Sequence, residues 1–329
     1  MSLTRAAMTI PRKLVITGAL GHIGSRLIRA LPDGYDEVVL IDDLSTQRYC
    51  SLFDLPGDVP FHFVEGDVCS LDLAPLFAGA ESIVHLAALT DAAASYAERD
   101  RVTQVNVAGT ERVARACASA GAALVFPSTT SIYSTTEPWV DESCSDESLR
   151  PQSPYAASKL EAERVLARLA GGGGLRHVTL RFGTIVGASA GMRFHTAANR
   201  FAWQACAGQP LSVWRTALHQ LRPYLDLGDA IRAIRFVLDS RLADGATYNV
   251  VSENTTVARI VDVIRTFVPD LQVAFVNAAA MNELSFEVRD ERIRALGFDA
   301  RTPVSTGIAE TVRMLRSMRQ KWGRTGAES

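Results

Sequence analysis

Short apolar runs recur through the first half of the chain, and each ends in small or polar residues. Leu14 to Ile16 runs into Thr17-Gly18, and Glu37 to Ile41 ends at Asp42. Pro60 to Val64 ends at Glu65-Gly66-Asp67, and Ser82 to Leu86 runs into Ala87-Ala88. Ala122 to Phe126 leads to Pro127-Ser128-Thr129, and His177 to Phe182 leads to Gly183. Apolar runs of this length, bounded by turn residues and without polar alternation, predict strands buried on both faces. Between them, Ile23 to Leu31, Arg101 to Ala120 and Tyr155 to Ala170 carry apolar positions at helical spacing. Pro154 opens the last of these and the run Gly171 to Gly174 closes it, as helix boundaries require. Strands alternating with helices predict an α/β fold, a doubly wound parallel sheet with right-handed crossovers.

The pattern changes after Gly187. Ala188 to Arg222 carries the aromatic anchors Phe201, Trp203 and Trp214. Asp226 to Leu238 predicts a helix, Thr247 to Val251 a strand, Thr255 to Phe267 an amphipathic helix and Ser305 to Arg319 a final one. There is no internal repeat and no low-complexity linker except the run Gly171 to Gly174, so the second lobe is expected to interleave with the first. Residues 12–187, with a returning segment at about 223–251, would form the sheet domain. Residues 188–222 and 252–320 would form a smaller C-terminal lobe.

Composition narrows the class. The 329 residues are 47% hydrophobic, enough for a large core, and the formal charge of −2 offers no nucleic-acid or acidic membrane surface. Five scattered cysteines without a C-x-x-C pair argue against a disulfide framework or a zinc site and fit a cytoplasmic location. No apolar run reaches the roughly 18 residues of a membrane span. Met1 to Pro11 lacks the apolar core of a signal peptide and is expected to be a loose leader.

The first strand runs into Gly18, Gly21 and Gly24 at G-x-x-G-x-x-G spacing, with a helical segment beyond. Free backbone N–H groups at such a helix start attract an anion, and glycine lets a pyrophosphate approach the backbone. Asp42 lies eighteen positions after Gly24, where an acid meets an adenosine ribose. Together these predict a dinucleotide site.

Tyr155 and Lys159 lie four apart on a predicted helix and therefore on one face. A neighbouring ammonium lowers a phenol's pKa and makes it a usable acid/base at neutral pH. The chain uses arginine almost throughout, with lysine only at Lys13, Lys159 and Lys321; a lysine kept in mid-chain is expected to serve its own chemistry. Ser128 and Thr129 follow the fifth strand at its carboxyl end, where ligands bind in open α/β sheets. Their other reading is a simple ST-turn.

The ordered motifs resemble the extended short-chain dehydrogenase/reductases, in particular the nucleotide-sugar epimerase/dehydratase family. The resemblance rests on Thr17-Gly18-x-x-Gly21-x-x-Gly24, Asp42, Gly66-Asp67-Val68, His85-Leu86-Ala87-Ala88, Asn106-Val107-x-Gly109-Thr110, Ser128-Thr129-x-x-x-Tyr133, Pro154-Tyr155-Ala156-Ala157-Ser158-Lys159, Arg181 and Arg222-Pro223-Tyr224-Leu225-Asp226. It implies a Rossmann sheet with NAD held by Gly18, Gly21, His22, Ile23, Gly24, Asp42, Asp67, Val68, Leu86, Ala87, Ala88, Asn106, Ser128, Tyr155, Lys159 and Phe182. An acid at position 42 favours NAD over NADP, because a 2′-phosphate would meet a carboxylate. It implies a catalytic set of Thr129, Tyr155 and Lys159. The substrate would be met by Thr90, Thr129, Tyr155, Thr184, Trp214 and Arg222, with Trp214 either stacked on a nucleobase or buried in the core.

The resemblance implies epimerisation of a nucleotide-activated sugar, at C4, through a transient keto-sugar. Departures weaken an ordinary UDP-hexose. The run Ser128-Thr129-Thr130-Ser131 lacks the acids of the family's dehydratases and decarboxylases, Thr184 replaces an asparagine, and Arg222-Pro223-Tyr224 replaces Arg-Asp-Tyr. No second phosphate-binding arginine is evident around Asn277 to Ala280, and Arg289, Arg292 and Arg294 are out of register. A net oxidoreductase, a nucleotide-sugar decarboxylase and an NAD-binding sensor remain open alternatives. The family also implies a homodimer formed by a four-helix bundle from the Arg101 to Ala120 and Tyr155 to Ala170 helices. No metal site is expected.

Overall fold

The structure, a computed structural model, describes residues 12–31, 34–276 and 284–322. The expected leader and the Asn277 to Ala280 segment lie outside the described residues. Seven parallel strands form the central sheet: β1 (Lys13–Thr17), β2 (Glu37–Asp42), β3 (Phe61–Glu65), β4 (Ser82–His85), β5 (Ala123–Thr129), β6 (Arg176–Phe182) and β7 (Thr247–Val250). Their order across the sheet is β7-β6-β5-β4-β1-β2-β3. The direction of winding reverses between β1 and β4, so a crevice opens at their carboxyl ends.

The apolar runs lack alternation because both faces are covered. Leu14 and Ile16 of β1, with Val38 and Leu40 of β2, enter one core. Val15, Val39 and Ile41, one residue out of phase, enter the core on the other face. Helices α1 (His22–Ile28) and α4 (Leu227–Ser240) cover the first face. Helices α2 (Thr110–Ala120) and α3 (Pro154–Gly171) cover the second. Ser153 starts α3: its Oγ accepts a hydrogen bond from Ala156 N at 3.1 Å, and Pro154 holds the first turn. Gly121, at φ +67°, ends α2.

Some boundaries move for identifiable reasons. The fifth strand continues through Ser128 to Thr129, three residues past its apolar run, because β6 pairs with it to the end. The helix predicted from Thr255 begins at Val257. Thr255 and Thr256 belong to a strand, Glu253–Thr256, and Thr256 Oγ1 caps the helix at Arg259 N. The helix predicted over Arg101 to Ala120 starts at Arg99 and contains a π-helical stretch, Gln104–Gly109. The predicted Ile23 to Leu31 helix stops at Ile28.

The region after Gly187 contributes a helix, Ala197–Cys206, and strands at Leu211–Trp214 and Leu221–Asp226. The latter joins Thr184–Val186 and Glu253–Thr256 in a separate three-stranded sheet. A further core, including Phe201, Val213, Tyr224, Ile260 and Ile308, lies here. Among the described residues the five cysteines form no disulfide, no helix is long and apolar enough to cross a membrane, and no acid, histidine or cysteine cluster could hold a metal.

Candidate active site

The carboxyl ends of β1, β4, β5 and β6 open into a cleft of about 480 Å³. Its first wall is the turn after β1. Gly18 has φ +65°, and a Cβ there would lie 2.5 Å from Ala87 N and from Leu86 C. A Cβ on Gly24 would lie 2.5 Å from Ala19 O. Both glycines therefore let backbone pack on backbone: the turn against the exit of β4, and α1 against the turn. Asp42, at the end of β2, accepts from Leu20 N at 3.0 Å and from Leu44 N at 3.1 Å, which ties its carboxylate to the glycine turn. Burial raises its pKa and those two bonds oppose the rise.

The β4 exit is held from behind. His85 sits between Thr17 Oγ1 (2.7 Å) and Thr110 Oγ1 (3.1 Å), and burial pushes it down to about 3, so it is a neutral strut. Asn106 exchanges hydrogen bonds with the Leu89 backbone at 2.8 and 2.9 Å and donates to Ser158 Oγ. Asp67 accepts from Cys69 N at 2.8 Å, and Val68 is buried. Asp42, Asp67, Val68, Ala87 and Asn106 stand outside the cleft lining. Gly18, Gly21, His22, Ile23, Gly24, Leu86, Ala88, Thr90, Ser128, Thr129, Tyr155, Lys159, Phe182, Thr184, Trp214 and Arg222 line it.

The chemistry-bearing groups meet where β5 ends beside the start of α3. The Tyr155 phenol bonds to Thr129. The sequence reading expects the Lys159 ammonium to lower the Tyr155 pKa; the structure differs. Burial raises it, and the opposing influences are the Thr129 bond and the charge of Arg193. Lys159 is itself pushed down to about 7 by burial, partly offset by Glu163, and its Nζ lies 3.8 Å from the centre of the Phe126 ring. Behind it, Glu163 and Arg181 form a buried ion pair at 2.7 Å. Arg181 also donates to Tyr133 Oη, and the Ser128 hydroxyl donates to Glu163. The Ser128 side chain is thus committed to that pair.

The opposite wall comes from the later segments. Trp214, Thr184 and Arg222 face the cleft. The Arg222 guanidinium donates to the Leu221 and Leu284 carbonyls and to Gln220 Oε1. This wall also presents Arg193, His195 and Arg200, which sequence reasoning missed. Their signal was there: three basic or imidazole side chains within eight positions of the aperiodic stretch 188–222. Arg193 Nη2 donates to Thr90 Oγ1 at 2.7 Å. Arg193 Nε, Arg200 Nε, Thr196 Oγ1 and His22 Nε2 are buried without a hydrogen-bond partner, a cost that a ligand would relieve. The downstream arginines do not reach the cleft lining: Arg289 stacks on Trp139, Arg292 on Tyr248, and Arg294 pairs with Asp299.

The sequence profile described as "NAD dependent epimerase/dehydratase family" matches residues 14–250. The chain belongs to this family. It is 28% identical, over an alignment of 336 positions that covers 95% of this chain, to an Arabidopsis thaliana trifunctional UDP-glucose 4,6-dehydratase/UDP-4-keto-6-deoxy-D-glucose 3,5-epimerase/UDP-4-keto-L-rhamnose-reductase, and it spans only 48% of that plant protein. It is 30% identical over 261 residues, covering 77% of this chain and 81% of the other, to YtcB of Bacillus subtilis (strain 168), named as an uncharacterized UDP-glucose epimerase. The crystal structure of the dTDP-glucose 4,6-dehydratase from Streptomyces venezuelae with NAD and TYD bound superposes with a TM-score of 0.82 at 26% identity, covering 94% of this chain and 99% of that one.

The family's cofactor is NAD. The residues suit it: a turn free of side chains at Gly21, the Asp42 carboxylate tied to that turn just outside the lining, and the buried Arg193 Nε and His22 Nε2 without partners.

Proposed function

We propose that this protein epimerises a nucleotide-activated sugar at C4, using NAD and a transient keto-sugar. One observation carries the choice of reaction: among the described lining residues, Asp91 is the one carboxylate, and its Oδ1 already accepts from Ala93 N and Ala94 N. Dehydration and other eliminations call for an added acid and base beside the sugar; here hydroxyls of Thr129, Thr130 and Ser131 stand at the reacting end. Bound NAD supplies a hydride acceptor and donor. Tyr155 takes the proton from the ring hydroxyl and returns it, with Thr129 holding the reacting oxygen. Lys159 adjusts the local charge. On the far wall Trp214 stacks on the base and Arg222 neutralises the diphosphate. Relatives named for UDP- and dTDP-glucose chemistry support a nucleotide sugar as substrate.

The reading includes residues 12–187 with 223–251 as the NAD-binding domain, a cytoplasmic location, and a homodimer. Pairing would use Arg99–Ala120 and α3, which lie side by side.

The test is a panel of nucleotide sugars followed by NMR for stereochemical inversion, with NADH absorbance recorded in parallel. Inversion without net NADH is expected. Stoichiometric NADH formation or consumption would identify a net oxidoreductase instead, and loss of carbon dioxide a decarboxylase. Tyr155→Phe is expected to lower kcat by roughly 10²–10⁴-fold while NAD stays bound. Wild-type turnover in that variant would remove Tyr155 from the role of base.

A further inference from the structure

One segment of the later wall crosses to the glycine turn and is fastened at three consecutive residues to the start of α1 and to the turn Tyr49–Leu52. Ser189 Oγ lies 2.7 Å from His22 Nδ1, Ala190 O accepts from Cys50 Sγ at 3.3 Å, and Gly191 N donates to Ser25 Oγ at 2.9 Å. Gly191 is pressed so close that a Cβ would lie 2.1 Å from Leu20 O. Two residues on, Arg193 reaches across the cleft to Thr90 on the β4 exit. The strap, the glycine turn, the β4 exit and Arg193 close a ring around the middle of the cleft.

The position of the Arg193 guanidinium along that cleft is informative. The anionic or ionisable groups that act on it are Tyr155, at the reacting end, then Asp91, on the cleft lining, and then Asp42, at the end of β2. It lines the cleft and bridges to Thr90 on the β4 exit, two residues from the strap's contact with the glycine turn at Gly191. The charge of Arg193 also acts on Arg48 and His195, and no carboxylate pairs with it within salt-bridge distance among the described residues. Its Nε and the neighbouring His22 Nε2 are buried and unpartnered. A buried guanidinium with free N–H groups is stable when an anion meets it. The anionic part of a dinucleotide is its central diphosphate.

We propose that Arg193 binds the diphosphate of NAD from the side opposite the glycine turn, and that the strap from Ser189 to Gly191 holds Arg193 in place for that contact. This rests on the cleft being the NAD site and goes beyond the proposed reaction, which needs no such strap.

The substrate also carries a diphosphate, so the experiment separates the two. Full-length protein, freed of nucleotide by dialysis, is titrated calorimetrically with NAD and separately with UDP. Arg193→Gln is expected to weaken NAD by roughly tenfold or more, with Arg193→Lys recovering part of the loss, because a charge-assisted bond to phosphate is removed and then partly restored. UDP affinity is expected to stay within about twofold, which also reports that the variant is folded. Ser189→Ala, which frees the strap from His22, is expected to release prebound NAD severalfold faster in a chase. Unchanged NAD affinity in Arg193→Gln, a loss confined to UDP, or equal losses for both would overturn the proposal. Failure of the wild-type protein to bind NAD would overturn the site assignment instead.

Discussion

The wall of the cleft formed by β1, β4 and β5 is made of backbone and small side chains. Gly18 abuts Ala87, Gly24 abuts Ala19, and Leu86 and Ala88 face inward. The facing wall, from Thr184 to Arg222, is made of long side chains: Arg193, His195, Arg200, Trp214 and Arg222. The first wall has no spare volume, so its residues are set by hard contacts. The second has buried N–H and O–H groups still without partners, so its residues are set by whatever ligand they meet. A close-packed wall can serve many enzymes unchanged; a wall of unsatisfied polar groups makes one enzyme differ from the next.

The sharpest way to break this contrast is Gly18→Ala. The new Cβ would meet rigid backbone at 2.5 Å in a φ +65° conformation. A loss of roughly 5 kcal/mol of stability, or no folded protein, is expected in a urea titration. Gly173→Ala also sits at positive φ, +85°, but in open space, and should cost only about 1 kcal/mol. Equal effects at the two sites would show that packing against β4 is not what demands glycine at 18.

Lys159 gives the next effect, and it tests whether the site keeps a group at the expense of stability. Its folded pKa of about 7 lies below the ordinary 10.5. Between these values the unfolded chain binds the proton more tightly, so this residue makes stability rise with pH across that window, and its full penalty is present below pH 7. NAD-free Lys159→Met should therefore exceed wild type by on the order of 4 kcal/mol below pH 7, the gap closing by about pH 10.5. A gap that does not depend on pH would mean that Lys159 is not buried as a cation.

The smallest effect belongs to the second wall. Trp214→Ala should raise KM for the nucleotide sugar by roughly tenfold through lost stacking, with NAD affinity and thermal stability nearly unchanged. If stability falls and KM holds, Trp214 is a core residue, and the second wall is less ligand-directed than its unpaired groups suggest.

Much of the first wall was legible in the chain because its signals are local. Gly18, Gly21 and Gly24 fall within seven positions, Tyr155 and Lys159 within one turn and a fraction, and Thr129 directly follows an apolar run. The register of β5 with β6 moved the strand end, and capping by Thr256 moved a helix start; both depend on partners outside the local window. Arg193 was passed over because its clustering with His195 and Arg200 does not say what it faces. Its partner Thr90 is 103 positions away, and Ser189 is 167 from His22.

By itself, then, the sequence determined the alternation of strands and helices, the glycine turn and the spacing that sets a phenol beside a lysine. Periodicity and backbone sterics act over a few residues and survive without tertiary context. Only the tertiary structure decided which cation acts on Tyr155, which hydroxyl was taken by Glu163, and which distant arginine closes the cleft. Those outcomes depend on burial and on contacts across long stretches of chain, where desolvation turns an ordinary surface residue into an unsatisfied one.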